Sequence, residues 1–212
     1  MSRGRPPDEP MSRPRRWVVA TGNPGKLAEI RALLADVRLE LVTQAELGVA
    51  AADEPAITFV ENALIKARHA ARGTGLPAIA DDSGLAVDAL DGLPGVRSAR
   101  FAGPGADDRA NVARLLAALD GVPPERRRAR FHCVAVALEG PDDPAPRIAT
   151  GSWYGRIALA PAGAGGFGYD PVFFLPERGC TAAELPAGVK NGISHRATAF
   201  RRLAAALARS DE

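Results

Sequence analysis

The chain has 212 residues, enough for one large domain or two small lobes around a sizeable core, and its 46% hydrophobic and 25% charged residues are ordinary for a globular protein. Residues 1–16 hold five arginines against Asp8 and Glu9, 5 − 2 = +3, so the formal net charge of +2 leaves the body at 2 − 3 = −1, without the broad basic footprint of a nucleic-acid binder. No apolar run approaches the ~20 residues of a membrane helix. The Arg/Pro-rich start lacks the apolar core of a secretory signal, and two cysteines, Cys133 and Cys180, make neither a disulfide framework nor a metal spacing.

Residues 1–16 are therefore expected to be a disordered leader, and residues 17–212 a single domain. The two thiols read as reduced core groups of a cytosolic protein. Trp17-Val18-Val19-Ala20 predicts the first strand. Thr21-Gly22-Asn23-Pro24-Gly25-Lys26 follows, and then Leu27, Ile30 and Leu34 at helical spacing. Asn23 suits an N-cap and Pro24 the first helical position. Lys26 then lies in the first turn, against the helix dipole, a placement explained by a neighbouring anion. Strand, glycine loop, helix start and lysine describe a phosphate cradle, although the spacing is not that of a Walker A loop. The plainer alternative is a βα turn with a surface lysine.

Residues 38–42 alternate as a second strand. A loop with Asp53 and Glu54 leads to Thr58-Phe59-Val60-Glu61, a capping box opening a helix that runs to about Arg72 with Gly73 as its stop. Glu61 is thereby occupied, which leaves Glu54 freer to hold a cation. Lys66 and His69 read as surface residues of this helix. The apolar run 76–80 then predicts a strand that stops at Asp81-Asp82-Ser83-Gly84. Two adjacent carboxylates repel unless a cation relieves them, and a hard cation such as Mg²⁺ suits oxygen ligands. The same four residues are also good turn chemistry.

Asp107 or Asp108 caps a helix presenting Val112, Leu115, Leu116 and Leu119, with Gly121 ending it. The arginine run ending at Arg130 reads as a solvated face. Residues 129–138 and 148–159 predict two long antiparallel strands, so the sheet is mixed. His132 reads as a packed strand histidine. Gly163-Ala164-Gly165-Gly166-Phe167-Gly168-Tyr169-Asp170 allows close backbone approach to a flat ligand, with rings available for stacking; a flexible loop with two core aromatics is the alternative. Lys190 falls in a loop. Ser194 caps a last helix carrying Phe200, Leu203 and Leu207, whose start places His195 and Arg196 against the dipole.

Two basic helix starts, further lysines, a glycine/aromatic loop and clustered carboxylates suit a polyanion bearing a flat ring, with Mg²⁺ shared between protein and phosphates. A nucleoside triphosphate fits. No nucleophile elbow or plausible Cys/His pair is present. The segments ATGNPGKLAEI at 20–30, TFVENALIKARHAA at 58–71, AIADDSGLAVDAL at 78–90, ARFHCV at 129–134, GGFGYDPVFF at 165–174 and ISHRATA at 193–199 resemble, in order, those of the inosine triphosphate pyrophosphatase family, whose bacterial members are called XTP/dITP diphosphatases. The leader is the main departure.

The resemblance implies an elongated α/β fold of two lobes, with a central mixed, twisted sheet flanked by helices and an active-site cleft between the lobes. It implies a cytoplasmic homodimer that hydrolyses dITP, ITP and XTP to monophosphate and pyrophosphate. Thr21, Gly22, Asn23, Pro24, Gly25 and Lys26 would hold substrate, as would Ser83, Phe167, Gly168, Tyr169, Asp170, Lys190, His195 and Arg196. Glu54 and Asp82 would bind Mg²⁺. Asp82 would also accept the proton of the attacking water, with Asp81 helping to hold the site. Choice of base would rest on the 6-carbonyl, which adenine lacks. The rival readings are a pyrophosphatase for modified pyrimidine nucleotides and a non-catalytic nucleotide- or RNA-binding protein.

Overall fold

The sheet begins earlier than the apolar pattern predicts. In the computed structural model, which describes residues 14–209, strand β1 is Arg15–Val19, so Arg15 and Arg16 belong to the sheet rather than to a leader. Residues 1–13 of the expected leader lie outside the described residues. Helix α1 (Pro24–Leu33) starts as predicted: the Asn23 side chain accepts the Lys26 N–H at 3.0 Å and Pro24 takes the first position. Strand β2 (Leu39–Thr43) returns parallel to β1, and helix α2 (Phe59–Thr74) opens on the expected Thr58 cap. That helix runs past Gly73, where the Val49 side chain would press on any Cβ at 2.9 Å, and stops at Gly75, whose φ of 70° is the left-handed turn.

Strand β3 (Ala78–Val87) corrects the reading of Asp81 and Asp82 as a strand end. It pairs with β1 only through Val18↔Ala78 and Val19↔Ile79, then continues through both aspartates. Strand β4 (Arg128–Leu138) faces all ten residues of β3, and that unbroken antiparallel ladder overrides the local turn chemistry. What stops beside the two aspartates is β1. Gly84 is a close approach instead of a turn, since a Cβ there would lie 2.3 Å from the Gly95 carbonyl oxygen.

Between β3 and β4 lies helix α3 (Asp108–Ala118), capped by Asp107. Strand β5 (Arg147–Ile157) completes the predicted hairpin, followed by the short strands β6 (Phe173–Leu175) and β7 (Cys180–Thr181). Helix α4 (Ala187–Ile193) and helix α5 (His195–Ala208) close the described chain, α5 with the expected Ser194 cap. The mixed sheet has the order β2-β1-β3-β4-β5-β6-β7. Lys190 thus lies in α4, not in a loop. Arg127 is buried rather than solvated, its guanidinium donating to the carbonyls of Leu119, Val122 and Ala158.

Three apolar clusters divide the molecule. One joins α1 and α5 to one face of the sheet; a second joins α2 to the other face through Ala63, Ala67, Ala70 and Ala71. The third lies at the far ends of β3, β4 and β5, where Leu85, Phe131 and Trp153 meet α3 and β6. The first two clusters sandwich the sheet in one lobe and the third forms the other, both strung on three continuous strands. Since α1 and α2 cross opposite faces from adjacent strands, the end of β1 is a topological switch point, where open α/β sheets hold ligands. Among the described residues, no helix is long and apolar enough to cross a membrane.

Candidate active site

A cavity of about 270 Å³ opens at the end of β1, between the lobes. Adjacent residues of a strand point to opposite faces, so Asp81 and Asp82 leave β3 in different directions. Asp81 lies toward α1 and α5 and is buried. Its Oδ2 receives Lys26 Nζ at 3.2 Å and Arg196 Nη2 at 3.3 Å, and accepts the Ser83 hydroxyl at 3.1 Å. Burial favours the neutral acid, but Lys26, Arg196 and Lys66 outweigh it and hold the Asp81 carboxyl well below the usual range.

Asp82 lies toward α2. Its Oδ1 sits 2.9 Å from Lys66 Nζ, which also lies 3.2 Å from Glu54 Oε1. Asn62 Nδ2 donates to Asp82 Oδ2 at 3.4 Å. Burial, only partly offset by Lys66 and aided by Glu54, pushes the Asp82 pKa up. For Lys66 the balance tips toward the charged form, because Asp82, Asp81 and Glu54 outweigh its burial and raise its pKa. Lys66 is therefore no surface lysine but the centre of a carboxylate pair. Glu54 and Asp82 both present carboxylate oxygens to Lys66 Nζ on the cavity wall, hard donors of the kind a divalent cation takes one or two at a time, completing its shell with water and phosphate. The donors fit such an ion.

The far end is equally charged. Glu29 of α1 pairs with both Lys190, at 3.0 Å, and Arg196. Lys190 also pairs with Asp170, which receives the Phe167 N–H at 2.9 Å and whose pKa is raised by burial. The Phe167 ring lies over Lys190 Nζ, 4.7 Å from its centroid. His195 stacks on Phe131, ring centroids 4.7 Å apart, and its buried Nδ1 has no hydrogen-bond partner among the described residues. Burial first, then Arg196 and Lys190, hold its imidazole well below the usual histidine range, so it stays neutral. Gly151 makes this possible: a Cβ there would lie 2.2 Å from the His195 carbonyl oxygen.

Nearly all residues expected at the site do meet here. Thr21, Gly22, Asn23, Lys26, Glu54, Asp82, Ser83, Phe167, Gly168, Tyr169, Asp170, Lys190, His195 and Arg196 line the cavity. Pro24 and Gly25 do not. Pro24 is the exposed first residue of α1, and Gly25 gives way to Phe167, whose Cδ1 would lie 2.6 Å from a Cβ. Two further residues join the cluster without being expected there: Lys66 on the cavity wall, and Glu29, which pairs with Lys190 and Arg196. Each had a helical signal: Lys66 follows Asn62 by four residues, and Glu29 follows Lys26 by three, so each pair shares a helix face.

A switch-point cavity walled by cations and carboxylates, with a glycine/aromatic loop at one end, defines an α/β protein built to hold a polyanionic ligand. The model of the Ham1 family matches residues 17–206. A dITP/XTP pyrophosphatase of Yersinia pseudotuberculosis serotype I (strain IP32953) is 57% identical over 190 residues, 90% of this chain and 96% of that protein. One from Xanthomonas campestris pv. campestris (strain 8004) is 59% identical over 186 residues, 88% of this chain and 94% of that protein. A HAM1 protein structure from Coxiella burnetii superposes with a TM-score of 0.85 at 48% identity, covering 92% of this chain and 99% of that one. The chain belongs to the Ham1 family.

Proposed function

We propose that the protein is a nucleoside triphosphate pyrophosphatase. It hydrolyses the non-standard purine nucleotides dITP, ITP and XTP to the monophosphate and pyrophosphate, and so keeps them out of DNA and RNA. The reading draws on the names of its relatives and is carried by one structural observation: Lys66 held between Glu54 and Asp82 on the wall of a cavity whose other end is the Phe167, Lys190 and His195 cluster.

In this reading the triphosphate lies toward Lys26 and Lys66, which offset charge gathering on the departing pyrophosphate. Asp82, more basic than an ordinary carboxylate, takes the proton of the water that attacks the α-phosphorus. Glu54 and Asp82 would hold Mg²⁺, which supplies charge neutralisation at the phosphates and a more acidic water. The base lies toward Phe167 and His195. Neutral His195 and cationic Arg196 provide donors for a 6-carbonyl, and adenine would leave such donors unpaired, a penalty that can reach about 10⁴ in selectivity. A homodimer working in the cytoplasm, where nucleotide pools turn over, completes the proposal.

The test is pyrophosphate release from ITP, dITP, XTP, GTP, ATP and a modified pyrimidine triphosphate, each with Mg²⁺ and with EDTA. Mg²⁺-dependent release from the first three, with GTP and ATP poor, is expected. Release from the pyrimidine alone would transfer the reading to that rival. Binding of ITP without release would make the protein a nucleotide binder.

A further inference from the structure

Glu54 stands on a segment without regular structure, residues 50–56, yet its carboxylate shares Lys66 Nζ with that of Asp82. The segment is tied down at both ends by α2. His69 Nε2 lies 2.9 Å from the Ala50 carbonyl oxygen, and the Asn62 side chain bonds both the N–H and the carbonyl of Ala56. Between these ties the backbone of Glu54 is met from the opposite lobe: Arg100 Nη2 donates to the Glu54 carbonyl oxygen at 3.0 Å.

Arg100 ends a 3-10 segment, Gly95–Arg100, that is itself fixed. The Ser98 hydroxyl accepts the Leu85 N–H at 2.8 Å and donates to the Gly95 carbonyl oxygen, while the Ser98 carbonyl accepts the Tyr169 hydroxyl at 2.8 Å. On the other side, the Asn111 side chain bonds the Ala99 carbonyl and the Ala102 N–H. The chain is thus pinned at Ala99 and Ala102, on either side of Arg100, whose side chain lines the cavity and reaches to the Glu54 carbonyl. An exposed arginine that spends a donor on a carbonyl 46 residues away, from a doubly anchored base, acts as a strut rather than a solubilising charge.

We propose that Arg100 is a positioning residue that holds Glu54 in place for the divalent cation, coupling the far lobe to the metal-binding wall. The proposal rests on the metal role assigned to Glu54 above. It predicts that loss of the strut weakens metal binding, while phosphate affinity and turnover recover once metal is saturating.

The experiment uses Arg100→Ala and Arg100→Lys in the full chain. Mn²⁺ is titrated by electron paramagnetic resonance without nucleotide, and hydrogen exchange is followed over residues 50–57. Arg100→Ala should bind Mn²⁺ about tenfold more weakly, the usual scale for a residue that orients a ligand, and should exchange faster over that segment. Arg100→Lys, still able to donate to the carbonyl, should recover most of both losses. In pyrophosphate release from ITP, the Mg²⁺ requirement of Arg100→Ala should rise by a similar factor, with kcat and KM returning to wild-type values at saturating Mg²⁺. Unchanged Mn²⁺ affinity and exchange in Arg100→Ala would overturn the proposal. So would a KM that stays high at saturating Mg²⁺, which would make Arg100 a direct phosphate contact. A wild-type protein that releases no pyrophosphate would instead sink the proposed activity, and the Mn²⁺ titration would still judge the strut.

Discussion

Asp81 and Asp82 are consecutive, yet they face opposite sides of β3 and are neutralised by different cations. Asp81 is met by Lys26 and Arg196, Asp82 by Lys66. The two carboxylates should therefore respond differently to the same change. Asp81→Asn leaves two buried cations short of their partner and should cost about 3–5 kcal/mol of stability. Asp82→Asn removes a charge that burial already disfavours, and should fold within about 1 kcal/mol of wild type while losing turnover and keeping ITP binding. Urea unfolding, calorimetric ITP titration and pyrophosphate release would check both. Normal turnover by Asp82→Asn would remove it from the chemistry.

Lys66 separates two carboxylates that would otherwise repel. Lys66→Gln should slow pyrophosphate release by roughly 10², the scale for removing one group that stabilises transition-state charge. Without nucleotide the same variant should bind Mn²⁺ more tightly than wild type, because Glu54 and Asp82 are no longer paired to an ammonium. Weaker Mn²⁺ binding would mean that Lys66 shapes the site rather than competing for it.

The neutral state of His195 has a pH signature. The unfolded chain takes up a proton near pH 6.5 that the buried native imidazole refuses. Its contribution is therefore fully present above that pH and is lost as the pH falls below it, by about 1 kcal/mol over the first unit. His195→Gln should show less loss between pH 7.5 and 5.5 in urea melts. An equal loss in both proteins would show that native His195 is free to charge.

Gly151 lets the start of α5 lie directly on β5. Gly151→Ala should destabilise by about 1–3 kcal/mol, as overpacked sites do, and should raise the KM for ITP by displacing His195. Thermal unfolding and steady-state kinetics would test the two effects separately. A stable variant with an altered KM would place the effect at the site alone.

Much of this architecture could be read from the chain because its signals are local. Asn23, Thr58, Asp107 and Ser194 cap their helices through atoms a few residues away, and the long hairpin declares itself by residue type. Lys66 could not be read the same way. Its burial depends on Glu54 and Asp82, which only the folded chain brings to it. Asp81 and Asp82 carried true turn chemistry, but a ten-residue ladder with β4 decided otherwise. Lys190 sits between Gly188 and Gly192, a loop composition, in a seven-residue helix; its ion pairs with Glu29 and Asp170 tie that helix to α1 and the aromatic loop.

Strands β3, β4 and β5 run unbroken through both lobes, so the lobes share their backbone instead of being joined by a linker. Neither can melt without stripping the ladder of the other, and the protein should unfold in a single transition. Nor can the lobes swing shut as rigid halves about a joint. Any closure on a ligand must then come from loops outside the sheet, such as residues 163–168, moving against a spine that both lobes share.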